Sequence, residues 1–248
     1  MAVVEKEVVP RFSCSLAASP ADVRASQKLR YCIFAQEMGA AIEGGPEGLD
    51  ADALDPHCEH LIVRNAAGEL VASTRLLTGE TAARHGGFYS EQEFEMDAIK
   101  ALSGRKLEVG RTCVHADYRN GSTIAVLWSG LADYVAENGI DYLFGCASIE
   151  MGDPDAAYRI MEDIRNRCMS APDLRVAPRK PLPARKVSFN KTRMPPLLKA
   201  YVSLGARACG EPFWDTDFNC ADVFMLLNLR ELHPRYARRF LGPRLANR

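Results

Sequence analysis

No run of apolar residues approaches the 18 or so that a membrane-spanning helix needs. The first residues, 1–7, carry no basic stretch followed by an apolar core, so no secretory signal is expected. The eight cysteines stand at positions 14, 32, 58, 113, 146, 168, 209 and 220 without one Cys-x-x-Cys pair. That spacing argues against the usual zinc frameworks, and no metal is expected. Several cysteines lie inside apolar runs, as buried free thiols do, and a reducing cytoplasm suits them. Ser148 is not set in a Gly-x-Ser-x-Gly elbow, so a hydrolase triad is not expected. The chain has no internal repeat and no nucleic-acid-binding motif.

The 248 residues are 47% apolar and 25% charged with a net charge of −1, the balance of an ordinary globule. The charge is unevenly spread. Residues 1–60 hold ten acids against five Lys/Arg, whereas residues 174–199 hold eight Lys/Arg and no acid. Two basic stretches stand out: the proline-rich segment 171–196 and the tail 230–248. Each is a candidate dock for an acidic protein or an anionic membrane surface; the plainer alternative is a solvated basic loop.

Ser19-Pro-Ala-Asp22 reads as a helix start, with the helix running to about Met38. A long acidic, Gly-rich loop covers residues 39–57. Two strands, 59–65 and 70–77, are joined by residues 66–69 as a hairpin. Residues 78–95 read as irregular, and a short helix is expected near 97–102. Then come a strand that carries Glu108 and Arg111 within the stretch 106–121, a helix from 124 to about 138, a buried strand over 141–147 and a helix over 155–169. A helix over 197–204, ended by Gly205, leads to a buried strand over 221–228 and a basic helical tail. This order predicts one α/β domain spanning residues 1–248 with a mixed sheet.

The stretch 106–121 carries the most chemistry. A short apolar strand holds Glu108 and Arg111 and ends in Arg119-Asn120-Gly121-Ser122-Thr123, just before an apolar helix. Loop amides and a helix N-terminus favour an anion, so Arg119, Asn120, Gly121, Ser122 and Thr123 form a candidate cradle for the phosphate of a thioester donor. Residues three apart in a regular strand face opposite sides. Gly110 between them would permit a bulge that turns Glu108 and Arg111 to one side. Amide formation from a thioester needs a neutral amine, a base and donors for the oxyanion. Glu108, directly or through water, is the candidate base; the plain alternative is a structural salt bridge.

Arg30-Tyr-Cys-Ile-Phe34, the Asp50 to Asp55 loop, Cys58-Glu-His60, Thr74-Arg75, Glu108-Val-Gly-Arg111, Phe144-Gly-Cys-Ala-Ser148 and Asp217-Phe-Asn219 form one ordered series. It resembles the bacterial L-ornithine Nα-acyltransferases over nearly the whole chain. A weaker similarity is to the acyl-homoserine lactone synthases, through Arg30, Phe34, Asp50, Asp55, Arg75, Glu108 and Arg111. The resemblance implies a single GNAT-like domain with a mixed, mostly antiparallel sheet flanked by helices. It implies transfer of a 3-hydroxyacyl group from acyl carrier protein to the α-amine of L-ornithine, giving lyso-ornithine lipid. The donor would be the carrier's phosphopantetheine thioester, with no further cofactor. Other amino-acid acceptors, a homoserine derivative, and a non-catalytic carrier-binding module remain as alternatives. The Arg119–Gly121 turn has its glycine one place early for coenzyme A users, which favours the carrier as donor. Such an enzyme would be cytoplasmic, with peripheral contact at the inner membrane as a further option. Asp50 and Asp55 are then candidates for holding the substrate's cation, with Glu37 a weaker one. Arg75 would meet the substrate carboxylate or pair with Glu108 or Asp55; Arg30 would do likewise or serve structure. His60 is a second base candidate or a hydrogen-bonded core histidine. Cys113 reads as a core thiol, because no histidine is placed to activate it.

Overall fold

A computed structural model describes residues 11–42, 45–119, 121–185 and 192–232. The elements, in chain order, are β1 (Phe12–Leu16), α1 (Pro20–Tyr31), β2 (Glu59–Asn65), β3 (Leu70–Thr78), α2 (Gly79–Arg84), β4 (Phe94–Glu95), α3 (Asp97–Lys100) and β5 (Lys106–Val114). There follow α4 (Gly121–Asn138), β6 (Tyr142–Glu150), α5 (Pro154–Arg167), β7 (Ala177–Pro178), α6 (Pro196–Leu204), β8 (Arg207–Ala208), β9 (Phe213–Asp215) and β10 (Cys220–Asn228). The expected helix to Met38 is α1 continued by a wider π turn over Cys32–Glu37. Its start is the one expected: Ser19 caps the Asp22 amide, and Pro20 stands in the first turn. The segment 78–95, read as irregular, holds α2, capped by Thr78.

The main sheet runs β1-β2-β3-β5-β6-β10-β8, with β9 also on β10. Every pairing in it is antiparallel except β5 with β6. Side-chain alternation gives the sheet two different faces. On one face Leu61, Val63, Leu107, Leu143, Met225 and Leu227 join Leu127, Leu131 and Val135 of α4 and Met161 and Ile164 of α5. On the other, Leu77, Phe144 and Phe224 pack against Phe88, Phe94, Met96 and Ile99 from the turns after β3. The helical face is mainly apolar; the second face carries the charged residues of the site.

Candidate active site

The ladder between β3 and β5 slips once. Ser73 faces Cys113 and Arg75 faces Gly110, so Thr74 alone stands opposite both Arg111 and Thr112. This is the expected bulge, with one correction. Gly110 keeps an ordinary backbone, and it is Arg111 that takes the left-handed conformation, at φ 51°. A side chain there costs about 1–2 kcal/mol, which its surroundings must offset. Thr74 Oγ1 ties the bulge down, lying 3.2 Å from the Gly110 carbonyl and 2.7 Å from Thr112 Oγ1. The Arg111 guanidinium lies 4.7 Å from the Tyr89 ring centroid and 5.0 Å from that of Phe218. Its Nε is 3.4 Å from Asp50 Oδ2, yet it is buried without a hydrogen bond.

Beside the bulge, β5 and β6 part. Their parallel pairing spans only Lys106–Glu108 with Tyr142–Phe144, while β6 continues to Glu150 on β10. Gly145 stands where they separate; a Cβ there would collide with the Val109 carbonyl, so the close approach requires glycine. The split opens onto a different environment on each side. Toward the helices is an apolar crevice lined by Val109, Trp128, Leu131, Tyr201, Leu204 and Met225. That lining suits an aliphatic ligand. The Tyr201 hydroxyl hydrogen-bonds Thr112 at its inner end.

Toward the other face lies an ion network. Arg30, 1% exposed, binds Asp50 Oδ2 at 2.8 Å and both oxygens of Asp55 at 2.9 and 3.0 Å. Arg75 binds Asp55 at 2.9 Å and both oxygens of Asp52 at 2.7 and 2.6 Å. Burial alone would raise Asp55, but the two guanidiniums overcome it and hold its carboxyl well below the usual range. Arg30 is thus a buried anchor and not a surface residue; Asp55 is held on both oxygens from within, and Asp50 on Oδ2. Asp52, which sequence reading passed over, is the half-open member, with its side chain 27% exposed. A third acid in the run Asp50-Ala-Asp-Ala-Leu-Asp55 was the only signal for it. His60 is a hydrogen-bonded core residue, 3.3 Å from Ser26 Oγ and 3.4 Å from the Asp55 carbonyl, and burial lowers its pKa.

Glu108 is enclosed. Its carboxylate accepts from the amides of Tyr89 and Ser90, each at 2.8 Å, and from Ser90 Oγ at 2.5 Å. Burial raises its pKa against those bonds. Next to it stand two carboxylates that the sequence reading did not single out, Glu93 and Asp222, each held by a residue of the Phe144–Ser148 motif. Cys146 Sγ donates to Glu93 Oε2 at 3.0 Å and lies 3.5 Å from Ser90 Oγ. Ser148 donates to Asp222 Oδ1 at 2.6 Å, and the Cys220 thiol lies 3.5 Å from Oδ2. Burial and then the Asp222 charge push Glu93 up to about 8. Asp222 is raised as well, again first by burial.

Other expected residues fall apart from this centre. Glu37 pairs with Arg119, Oε2 to Nη2 at 2.7 Å, which ties the end of the first helix to the turn before α4. Gly121, Ser122 and Thr123 form the first turn of α4; Asn120 lies outside the described residues. Cys113 is a core thiol against Leu29 and Ile33, pushed up to about 12 by burial. In the basic segment, Arg179 donates to the Glu91 carbonyl, Lys180 to Thr216 Oγ1, and Arg185 pairs with Asp155 at 2.7 Å. The tail beyond residue 232 lies outside the described residues.

Residues 29–129 match the family model described as an acetyltransferase (GNAT) domain. An L-ornithine Nα-acyltransferase of Rhodobacter capsulatus is 34% identical, over 93% of this chain and 96% of its own. Among solved structures, an N-acyl amino acid synthase from uncultured soil microbes shares the fold at TM-score 0.55 and 15% identity, covering 94% of this chain and 96% of that one. The acyl-homoserine lactone synthase LasI does so at TM-score 0.53 and 11% identity, covering 93% and 95%. Identity at this level over nearly the full length, on a sheet split at β5 and β6, makes this protein an N-acyltransferase with a GNAT fold and a member of the L-ornithine Nα-acyltransferase family.

Proposed function

We propose that the protein transfers a 3-hydroxyacyl group from the phosphopantetheine of acyl carrier protein to the α-amine of L-ornithine, forming lyso-ornithine lipid. The observation that carries this reading is the split sheet, with an apolar crevice on the helical side and an ion network on the other. An acyl chain fits the first and a zwitterionic amino acid the second. The α4 N-terminus, with Gly121, Ser122 and Thr123, would take the pantetheine phosphate. Arg111, whose Nε is buried without a hydrogen bond though 3.4 Å from Asp50, would donate to the acceptor's carboxylate. The part-exposed Asp52 would meet its cationic end, with Asp50, Asp55, Arg30 and Arg75 holding both in place. Reaction of the purified protein with ornithine and 3-hydroxyacyl-carrier or the matching coenzyme A ester, read by mass spectrometry, tests this. Nα-(3-hydroxyacyl)ornithine formed far faster from the carrier is expected. Equal rates from both donors would remove the carrier from the proposal, and acylation of another amine alone would remove ornithine.

A further inference from the structure

Acyl transfer leaves a proton to be placed, because the attacking nitrogen must shed one as the amide forms. Three buried carboxylates face the split from the charged side. Glu108 accepts from three donors, two of them backbone amides, in the geometry of a residue that holds a turn. Asp222 has Ser148 on one oxygen and the Cys220 thiol on the other. Glu93 differs. It is 4% exposed, and its side chain receives a thiol, a weak donor, at 3.0 Å on one oxygen. Among the described residues it pairs with no lysine or arginine. Its thiol partner, Cys146, is the first side chain on this face of β6 after Phe144, the last residue paired with β5. The carboxylate therefore stands beside the split, near enough to Tyr89, whose ring covers Arg111, for its charge to act on the tyrosine hydroxyl.

Given the acyl transfer argued above, we propose that Glu93 is the proton acceptor for the attacking amine, oriented by the Sγ–H of Cys146. The nitrogen attacks the thioester carbon and the C–N bond forms. Its proton passes to the Glu93 carboxylate, and the C–S bond breaks. The thiolate leaves with that electron pair and takes up the proton. A base poised near neutral pH suits this exchange. The groups that face Glu93 and shape its titration are Glu108 on β5, Cys146 on β6, Asp222 on β10, Asp215 on β9 and Tyr89 in the preceding turn.

Kinetics of wild type, Glu93→Gln and Glu108→Gln across pH 5.5–9.5, together with melting temperatures, test the assignment. Glu93→Gln should lower kcat about a hundredfold or more, leave the KM for ornithine within a few-fold, and abolish the acidic limb of the pH profile. Its melting temperature at pH 8 should hold or rise, since a neutral amide replaces a buried charge. Glu108→Gln should melt earlier yet keep the acidic limb. An acidic limb retained in Glu93→Gln, or a kcat within tenfold of wild type, overturns the proposal. A difference titration of the carboxyl stretch by infrared spectroscopy, wild type against Glu93→Gln, needs no turnover: a Glu93 ionised below pH 5 would overturn the proposal even if ornithine proved the wrong acceptor.

Discussion

Arg75 and Asp55 show how single residues set this site. Asp55 is shared by two buried guanidiniums, and its loss would leave Arg30 with Asp50 and Arg75 with Asp52 as their carboxylate partners. Asp55→Ala should cost about 3–5 kcal/mol in denaturant unfolding, the scale for removing one partner from a buried ion pair. Its depressed pKa makes a contribution that is present above the unfolded carboxylate's pKa and lost as the pH falls toward the folded value. Glu93 and Asp222 work in the opposite sense. Their folded pKa values lie above the unfolded ones, so the protein loses stability as pH rises from about 4.5 to 8. Melting temperature should thus fall across that window, and Glu93→Gln should flatten the slope. Arg75→Lys keeps the charge but replaces the planar guanidinium, whose Nη1 reaches both Asp52 and Asp55, with a shorter-reaching, more strongly hydrated ammonium, and should lower kcat/KM in steady-state assays without unfolding the chain. Cys113→Ala should stay active, and an acyl-enzyme trapped at Cys113 by mass spectrometry would show the direct mechanism to be wrong.

At the scale of elements, the parting of β5 and β6 is the device on which the rest depends. Gly145→Ala would force the strands apart at Val109. It should destabilise the fold by about 1–3 kcal/mol, read from chemical denaturation, and lower activity at the same time. α4 and α6 wall the apolar crevice, and Leu204 of α6 lines it without being fully buried. Leu204→Phe should fill part of that space and shift preference toward shorter acyl chains in a competition assay; an unchanged chain-length profile would place the acyl group elsewhere. Leu131, almost fully buried between α4 and the sheet, should cost about 2–5 kcal/mol when cut to alanine. Several elements were legible in the sequence because their signals are local. Ser19, Pro20 and Asp22 mark the start of α1, and Gly205, at φ 99°, ends α6 in the left-handed cap expected of it. The short strands β1, β8 and β9 were not, since they exist through pairing with distant strands and carry little pattern of their own.

Over the whole molecule, the basic segment 174–199, proposed as a dock for an acidic carrier, also serves the fold through its described residues. Arg185 pairs with Asp155, and Arg179 and Lys180 bind a carbonyl and a hydroxyl. Reversing Arg179, Lys180 and Arg185 together should weaken use of the carrier donor, with a steep dependence on salt, and leave a coenzyme A donor nearly unaffected. Among the described residues no helix is long and apolar enough to cross a membrane. By itself the sequence determined the principal helices and strands, the acidic loop and the bulge-prone strand around Glu108 and Arg111. Those follow from periodicity, caps and turn chemistry within a few residues. Tertiary structure alone decided that Arg30 is buried, that Arg111 and not Gly110 takes the strained conformation, and that Glu93, Cys146 and Asp222 meet at the split. The partners of Arg30 are 20 and 25 residues away, Cys146 is 53 from Glu93, and Ser148 is 74 from Asp222. A carboxylate's environment is built by whatever the sheet brings beside it, and no local pattern records that meeting.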